Sequence, residues 1–305
     1  MDFSAAQRKG GWSNATWAAG GLVARVATEP DTGHLLREAR LACILPPEVG
    51  CPQIVETGVM DRYEWVLSEE ICGQNLGDVW LLLDWDARIA ALRGLWARAG
   101  AVHSVDVSVA EAHVSGASPF YAPDMDTAVA QCARLERAGV LISDQVVILT
   151  QALDRYWGAL GSAPRVLNHG DLCLENALWY DDSVVALLDF EYAIVAPVEL
   201  DLNELLKCVY APPERDDPLP DPDGSGLARL QQAASGIAVA TVSTSAGPDL
   251  VLGFAILLEM WMMERMLSQW DGRGSYAEWQ PYRTLTALTD GAGGYLAPVL
   301  ARLQA

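Results

Sequence analysis

The chain has 305 residues, a length that favours one or two domains, and 51% of them are apolar, which is enough for a sizeable core. Its formal charge of −20 argues against binding to nucleic acid or to an anionic membrane, because phosphate groups are bound by clustered Lys and Arg. The same charge attracts a cationic substrate, and simple solubility is the alternative explanation.

Targeting signals and cysteine patterns point to an ordinary globular protein. The most apolar segment, Leu250 to Leu267, is interrupted by Glu259 and Glu264, which indicates a buried helix and not a membrane span. The N-terminal segment MDFSAAQRKGG lacks the apolar region of a secretory signal, so we expect a cytoplasmic protein. The six scattered cysteines form no C-x-x-C pair, so we expect free thiols and neither a zinc site nor a disulfide framework.

The first seventy residues are predicted to be β-rich with one helix. Turns are expected at Gly20-Gly21 and Met60-Asp61, and Pro46-Pro47 should stop the helix. The predicted strands are Ala15 to Ala18, Leu22 to Ala27, Gln53 to Thr57 and Tyr63 to Leu67, and the predicted helix is His34 to Leu45.

After Gly73 the pattern becomes mainly helical. Val166-Leu167 and Val184 to Phe190 are short β-type runs that flank a polar loop, and a loop or linker is expected from Ala211 to Ser225. The predicted helices are Leu76 to His103, Met125 to Gly139, Asp144 to Leu160 and Glu199 to Val209. We therefore expect a β-rich lobe over residues 1–73, ending in a connector, and a larger helical lobe over residues 74–305.

The segment NHGDLCLEN (168–176), followed by LLDFE (187–191), carries the strongest chemical signal. Asp171 is followed by Asn176 five positions later and by Asp189 thirteen positions beyond that. Phosphoryl transfer needs a carboxylate beside the acceptor hydroxyl and oxygen ligands for the Mg²⁺ that bridges the phosphates. A loop between two short strands can bring these side chains to one point. A metal-dependent hydrolase that uses His169, Asp171 and Asp189 is the alternative, with few histidines to support it.

HGDLCLENALW together with LLDFEYA resembles the catalytic loop and metal-binding motif of the aminoglycoside phosphotransferase and choline kinase superfamily. The resemblance implies an α+β, bilobal, protein-kinase-like fold, with a small N-terminal antiparallel sheet lobe and a larger, mainly helical C-terminal lobe. It implies that Asp171 accepts or orients the proton of the substrate hydroxyl. It further implies that Asn176 and Asp189 hold Mg²⁺ and that His169 is a structural hydrogen-bonding residue.

The resemblance extends to the nucleotide site. The loop 10–14 stands where the family has its phosphate-covering loop, and its candidate contacts are Gly11, Ser13 and Asn14. Arg25 stands where kinases carry the strand lysine that holds the α- and β-phosphates, and Glu38 matches its ion-pair partner. Arg preserves the electrostatic role because it is permanently charged and binds phosphate bidentately. The alternative for the loop 10–14 is an ordinary turn, and the alternative for Arg25 and Glu38 is that both are surface residues.

The hinge region, the stretch 197–203 and Glu191 also have counterparts in the family. The segment Tyr63 to Gly73 resembles the family's strand-to-hinge region, so the purine base is expected to pair with the Glu69 carbonyl and the Ile71 amide. PVELDLN (197–203) resembles the family's D-P-x-x-D-L-A stretch, in which Asp201 braces the catalytic loop. The sequence DFEY (189–192) resembles the motif of choline kinases. Its Glu191 is expected to be either a group associated with the metal or a substrate contact.

The resemblance places the acceptor pocket in the helical lobe. Carboxylates beside aromatic rings suit ammonium groups, through Coulomb attraction and cation–π contact. The alternative is a helix whose Trp and Met residues face the core while its Glu residues face water. The candidates are Glu199, Glu204, Glu259, Trp261, Glu264 and Trp270.

These patterns predict an ATP- or GTP-dependent O-phosphotransferase that acts on a hydroxyl of a small, amine-bearing molecule. The ENALW sequence favours an antibiotic kinase, and hence a role in antibiotic resistance, whereas DFEY is closer to choline kinases. A metabolic kinase for choline, an amino alcohol or a sugar is therefore the alternative. A non-catalytic, nucleotide-binding pseudokinase is a further one, although the intact Asp171, Asn176 and Asp189 argue against it. The acceptor, the purine preference and the oligomeric state stay open.

Overall fold

The computed structural model describes residues 6–9, 14–212, 219–242 and 244–304. The predicted nucleotide contacts Gly11 and Ser13 lie outside the described residues. The strands are β1 Gln7–Lys9, β2 Asn14–Ala19, β3 Leu22–Ala27, β4 Ile54–Met60, β5 Tyr63–Glu69, β6 Gln74–Asn75, β7 Val166–Asn168, β8 Ala177–Tyr180, β9 Ser183–Leu187 and β10 Ile194–Ala196. The helices are α1 His34–Ala42, α2 Leu76–Val79, α3 Trp85–His103, α4 Val107–Ala110, α5 Met125–Arg137, α6 Ser143–Leu160, α7 Glu199–Tyr210, α8 Ser225–Thr241, α9 Gly247–Gln269, α10 Gln280–Ala287 and α11 Ala297–Leu303.

The N-terminal sheet is antiparallel, with the strand order β1-β2-β3-β5-β4. Both predicted hairpins are present. Ala19 pairs with Leu22 across the turn Gly20-Gly21, and Met60 pairs with Tyr63 across the turn Asp61-Arg62. The apolar face of α1 packs under the sheet. The core that this packing forms consists of Ala27, Leu35, Ala39 and Val66, with Ile54 packed against it.

The predicted helix from Leu76 to His103 is interrupted in the structure. A short α2 and a 3₁₀ turn at Trp80–Leu82 lead to Leu83, whose backbone is extended, before α3 begins. Asp84 explains the new start, because its Oδ1 accepts a hydrogen bond from the Ala87 amide at 2.8 Å, in the manner of an N-cap. This local cap overrides an apolar pattern that continues across the break.

The chain divides into two compact units, which we call the first unit (residues 1–83, 94–116 and 166–195) and the second unit (residues 84–93, 117–165 and 196–305). The first unit also contains the sheet β6-β8-β9 and the pairing of β7 with β10. The second unit is helical, and its longest helix, α9, contacts α5, α6, α7 and α10. The predicted α+β class, with an N-terminal antiparallel sheet and a mainly helical remainder, is confirmed. The boundary at residue 73 stays a prediction.

Within the described part of the chain, no helix combines the length and the apolar character needed to cross a membrane.

Arg98 and Gly50 fasten the segment after α1 to β9. The Arg98 guanidinium donates to the Val184 carbonyl at 2.6 Å and to the Glu48 carbonyl at 2.7 Å. Gly50 has φ of +74°, and a Cβ atom there would lie 2.1 Å from the Val185 carbonyl oxygen. Only glycine fits this close approach of two backbone segments.

We expect Gly50→Ala to lower the free energy of unfolding by about 2–3 kcal/mol, because it combines a left-handed φ with a backbone clash. Chemical denaturation measures the change. The control is Gly100→Ala in α3, where the added Cβ meets nothing within 4 Å. That variant should be neutral or more stable by up to about 1 kcal/mol. Equal stability of the two variants would contradict the close packing described for Gly50.

Candidate active site

The loop predicted to be catalytic begins where β7 ends. Gly170 has φ of +86°, and a Cβ atom there would lie 2.1 Å from the Tyr192 carbonyl oxygen, so the loop needs glycine between its His and Asp. His169 is fully buried, its Nε2 donates to the Leu188 carbonyl at 2.9 Å and its Nδ1 accepts from the Asp171 amide at 3.4 Å. Both ring nitrogens therefore hold backbone, which favours a structural His169 over the metal ligand that the hydrolase alternative requires.

Asn176 connects the two halves of the motif. Its Nδ2 donates to the backbone oxygen of Asp171 at 2.9 Å and to its carboxylate Oδ2 at 3.0 Å. The backbone oxygen of Asn176 accepts a hydrogen bond from the Leu188 amide at 2.8 Å, next to Asp189 in the chain. Because Nδ2 is committed to Asp171, Oδ1 is the atom that Asn176 can offer to a cation.

Asp189 follows the end of β9 in a left-handed conformation, with φ of 64° and ψ of 66°. Its Oδ1 is closed off from solvent and accepts no hydrogen bond from the described residues, and Arg25 Nη2 lies 3.5 Å away. Burial, with the charges of Glu38, Glu191 and Asp171, raises the pKa of Asp189 to about 7, although Arg25 opposes the rise. A buried carboxylate oxygen that lacks a hydrogen bond fits a metal ligand.

Arg25 in β3 and Glu38 in α1 form an ion pair. Arg25 Nη1 donates to Glu38 Oε1 at 2.7 Å, and Nη2 donates to Oε2 at 2.5 Å. Burial alone would lower the pKa of Arg25, but Glu38, Asp189 and Glu191 raise it well above its ordinary value. Glu38 also accepts from the Phe190 amide at 3.3 Å, so the pair connects α1 with the segment that contains Asp189.

Negative charge exceeds positive charge in this group of residues. Burial raises the pKa of Asp171, and the charges of Glu175 and Glu191 add to the rise, while His169 and Asn176 oppose it. The described residues contain no group of three or more His, Cys, Asp or Glu side chains that could hold a metal ion. Mg²⁺ is commonly held by one or two protein groups together with phosphate oxygens. Asn176 and Asp189 fit that manner of binding.

The other predicted nucleotide contacts lie on the N-terminal sheet and just beyond it. Asn14 opens β2 opposite Ala27. Glu69 ends β5, its amide donates to the Gln53 carbonyl at 2.9 Å, and Ile71 follows two residues later. The structure therefore brings Arg25 and Glu38 together with the segment that contains Asp189 and Phe190. The nucleotide contacts of Asn14, Glu69 and Ile71 stay predictions.

Two of the acceptor candidates lie on α7 and α9 of the second unit with protein partners. Glu259 is fully buried, pairs with Lys207 Nζ at 2.6 Å and accepts a hydrogen bond from Thr284 Oγ1 at 2.7 Å. Glu204 is also buried, and its Oε1 accepts from Tyr121 Oη at 2.8 Å. The sequence pattern did not reveal Lys207, although it lies in the predicted helix at the C-terminal end, where cations are favoured.

The acceptor candidates Glu264, Trp261 and Trp270 also make contacts within the second unit. Glu264 pairs with Arg134 at 2.7 Å and accepts from Gln131 at 3.0 Å. The Trp261 ring packs edge-on against Phe120 at 4.7 Å, and Arg265 lies 5.3 Å from its centroid. Trp270 donates from Nε1 to the Arg273 carbonyl at 2.7 Å and packs against Tyr276 and Trp279.

Two predicted site residues lie near the start of α7. Glu199 is its first residue and is buried, and burial raises the pKa of its carboxyl group. Asp201 is fully buried. The bracing role of Asp201 and the substrate role of Glu199 stay predictions.

Residues 4–238 match the model of the family APH, described as a phosphotransferase enzyme family. No curated protein is similar enough in sequence to match this chain.

Solved structures share the fold. A thermostable mutant of the aminoglycoside phosphotransferase APH(4)-Ia, in ternary complex with ADP and hygromycin B, has a TM-score of 0.64 at 16% identity over 95% of each chain. The GDP complex of aminoglycoside 2'-phosphotransferase-IIIa has a TM-score of 0.62 at 17% identity, over 97% of this chain and 92% of the other. A choline/ethanolamine kinase family protein from Mesorhizobium loti has a TM-score of 0.63 at 15% identity, over 98% of this chain and 92% of the other. At these identities the likeness concerns the fold, which confirms the protein-kinase-like class.

The raised pKa of Asp189 predicts a pH-dependent gain in stability for Asp189→Asn. The pKa is higher in the folded than in the unfolded chain, so the folded state loses stability as the pH rises from about 4 to about 7. Asn cannot ionise and escapes this loss. Because 39% of the side chain is exposed and screened by water, we expect a gain of about 1–2 kcal/mol at about pH 8 and none near pH 4.

Thermal or chemical unfolding without nucleotide or metal, repeated across this pH range, measures the gain. The control is Asp182→Asn, the same change in the exposed turn between β8 and β9, which should show no pH-dependent gain. If Asp189→Asn were no more stable than wild type at about pH 8, the charge excess around Asp189 would be refuted.

Proposed function

Because this chain belongs to the phosphotransferase enzyme family and is therefore a small-molecule kinase, we propose that it moves the γ-phosphoryl group of ATP or GTP to a hydroxyl of a small, amine-bearing molecule. The observation that carries the proposal is the bonding of Asn176. Its side chain holds the Asp171 carboxylate, and its backbone oxygen binds the Leu188 amide beside Asp189. Asn176 thus links Asp171, which suits the acceptor hydroxyl, to the segment that ends in Asp189, which suits the metal.

Each charged group has a task in the proposed reaction. The Asp171 carboxylate orients the acceptor hydroxyl and takes up its proton, and the raised pKa of Asp171 brings it closer to that of an effective general base. Arg25, held by Glu38, binds phosphate oxygens. Asn176 Oδ1 and the Asp189 carboxylate would hold Mg²⁺, which, when bound, neutralises charge on the transferred phosphoryl group.

The charge of the site supports an acceptor with an amine. The charge of Glu191 acts on Arg25, Asp171 and Asp189 and raises the pKa of all three groups. Glu259 and Glu264 have cationic partners within the second unit. We place the first ammonium contact of the proposed acceptor at Glu191, because its charge acts on Asp171 and Asp189. The substrate roles of Glu199 and Trp261 stay predictions.

An antibiotic-type acceptor is our first choice. Structural neighbours of this chain include complexes with hygromycin B and a complex with kanamycin. The likeness to a choline/ethanolamine kinase family protein supports the metabolic alternative, in which the acceptor is a small amino alcohol.

A panel of hydroxyl compounds, incubated with Mg-ATP or Mg-GTP and analysed by mass spectrometry, tests the proposal. The panel contains aminoglycosides, choline, ethanolamine, amino sugars, neutral sugars and N-acetylated partners of the amines. We expect a product heavier by one HPO₃ unit from an amine-bearing acceptor and little from its acetylated partner. Transfer to neutral sugars alone would refute the amine requirement, and nucleotide binding without any transfer would favour the pseudokinase alternative.

We expect Asp171→Asn to lower kcat for phosphoryl transfer by at least about 100-fold, because the amide cannot accept the hydroxyl proton. The melting-temperature rise caused by Mg-ADP should stay close to that of wild type, since the side chain keeps its shape and an oxygen for Asn176. The control Asp182→Asn should keep full activity. Unchanged kcat in Asp171→Asn would exclude Asp171 as the catalytic residue.

A further inference from the structure

Asn75 makes two hydrogen bonds that only one orientation of its side-chain amide satisfies. It is the N-cap residue of α2, where its Oδ1 accepts a hydrogen bond from the Asp78 amide at 3.3 Å. Its Nδ2 donates to the backbone oxygen of Glu175 at 2.5 Å, across 100 positions of sequence. The side chain thus starts a helix with one atom and holds the catalytic loop with the other.

The peptide group that Asn75 holds is the one that leads into Asn176. The Glu175 carbonyl and the Asn176 amide belong to one planar unit. Asn75 binds the Glu175 oxygen of that unit. The Asn176 N–H of the same unit donates to the Cys173 carbonyl at 3.3 Å. The plane is therefore fixed from both edges, and with it the direction in which Asn176 leaves the backbone.

The position of Asn75 is itself fixed by the sheet. β6 pairs with β8, in the register Asn75 to Leu178, and β8 begins directly after Asn176. The helix α2 contacts the 3₁₀ turn Leu174–Asn176. The β6–β8 pairing and the packing of α2 on the 3₁₀ turn keep the Asn75 amide beside the Glu175 carbonyl. The contact therefore depends on the fold of the first unit.

We propose that Asn75 is a positioning residue for the metal-binding side of the site, acting through the peptide between Glu175 and Asn176. The inference rests on the proposed function in that the ligand concerned is the magnesium ion of the bound nucleotide. Asn75 fixes the backbone of Asn176, and Asn176 then presents Oδ1 to the cation while its Nδ2 stays on Asp171.

Asn75→Asp removes the donor and keeps the helix cap. Asp is as good an N-cap as Asn, but it has no donor for the Glu175 carbonyl. The measurement is the melting temperature with saturating ADP as Mg²⁺ is added. We expect the Mg²⁺ concentration for half of the ADP-dependent rise to increase about tenfold, as is typical when a group that orients a metal ligand is lost. The control Asp124→Asn exchanges Asp and Asn at the N-cap of α5 and should need no more Mg²⁺ than wild type.

Amide hydrogen exchange of the ligand-free protein gives an independent reading. We expect the amides of Asn176 and Leu188 to exchange about tenfold faster in Asn75→Asp, because their hydrogen bonds rely on the fixed peptide. If Asn75→Asp does not fold, Asn75→Ser, which also caps α2 but is too short to reach Glu175, takes its place. Unchanged exchange at both amides, or an unchanged Mg²⁺ requirement, overturns the inference. A wild-type protein that ignores Mg-ADP instead refutes the proposed function, and the exchange data then decide whether Asn75 positions Asn176.

Discussion

The geometry of the first unit around Arg25 depends on an excess of buried negative charge. Glu38 occupies both terminal nitrogens of the guanidinium, Asp189 lies 3.5 Å from one of them, and the charge of Glu191 reaches the same group. One cation cannot balance three carboxylates in a medium of low dielectric constant. Burial and this surplus together raise the pKa of Asp189 to about 7, and burial with the charges of Glu175 and Glu191 raises that of Asp171. A divalent cation would relieve this repulsion, so the same charges that destabilise the ligand-free site favour its occupation. Arginine suits this position better than lysine, because the guanidinium binds two carboxylates in a fixed plane and keeps its proton.

The catalytic loop could be predicted from the sequence because its information is local. Asp171 and Asn176 are five residues apart, and short β-type runs flank the polar segment, so chain geometry alone confines them to a small volume. The hairpin at Gly20-Gly21 was predictable for the same reason. The interruption between α2 and α3 was not predicted, although its signal is also local. An apolar, helix-favouring pattern runs through Leu81 to Leu83, and the single cap at Asp84 decides where the second helix begins. The prediction followed the helical pattern of many residues and missed the one N-cap residue that starts α3.

The roles of the helical-lobe carboxylates could not be read from the sequence, because their partners are distant in the chain. Glu264 finds Arg134 across 130 positions, and Glu259 finds Lys207 on another helix. A Glu at helical spacing beside Trp261 looks the same whether it faces a ligand, water or a buried lysine. Burying such a carboxylate is tolerable only with a partner, and the partner decides its role. Asn75 shows an intermediate case. Its helix-capping role is visible in the order Asn75-Leu76, whereas its contact with Glu175 depends on the pairing of β6 with β8.

The groups that position the proposed catalytic and metal-binding residues are mostly neutral, and this follows from the charge requirement. His169 holds the loop with its ring nitrogens, and Asn176 holds Asp171 with its side-chain amide. Asn75 holds the peptide between Glu175 and Asn176 with another amide. A lysine in any of these places would fix the loop equally well by attraction. It would also neutralise a carboxylate that the site keeps for a cation, and so compete with the ligand. Amide and imidazole donors orient the loop without neutralising the carboxylates of the site.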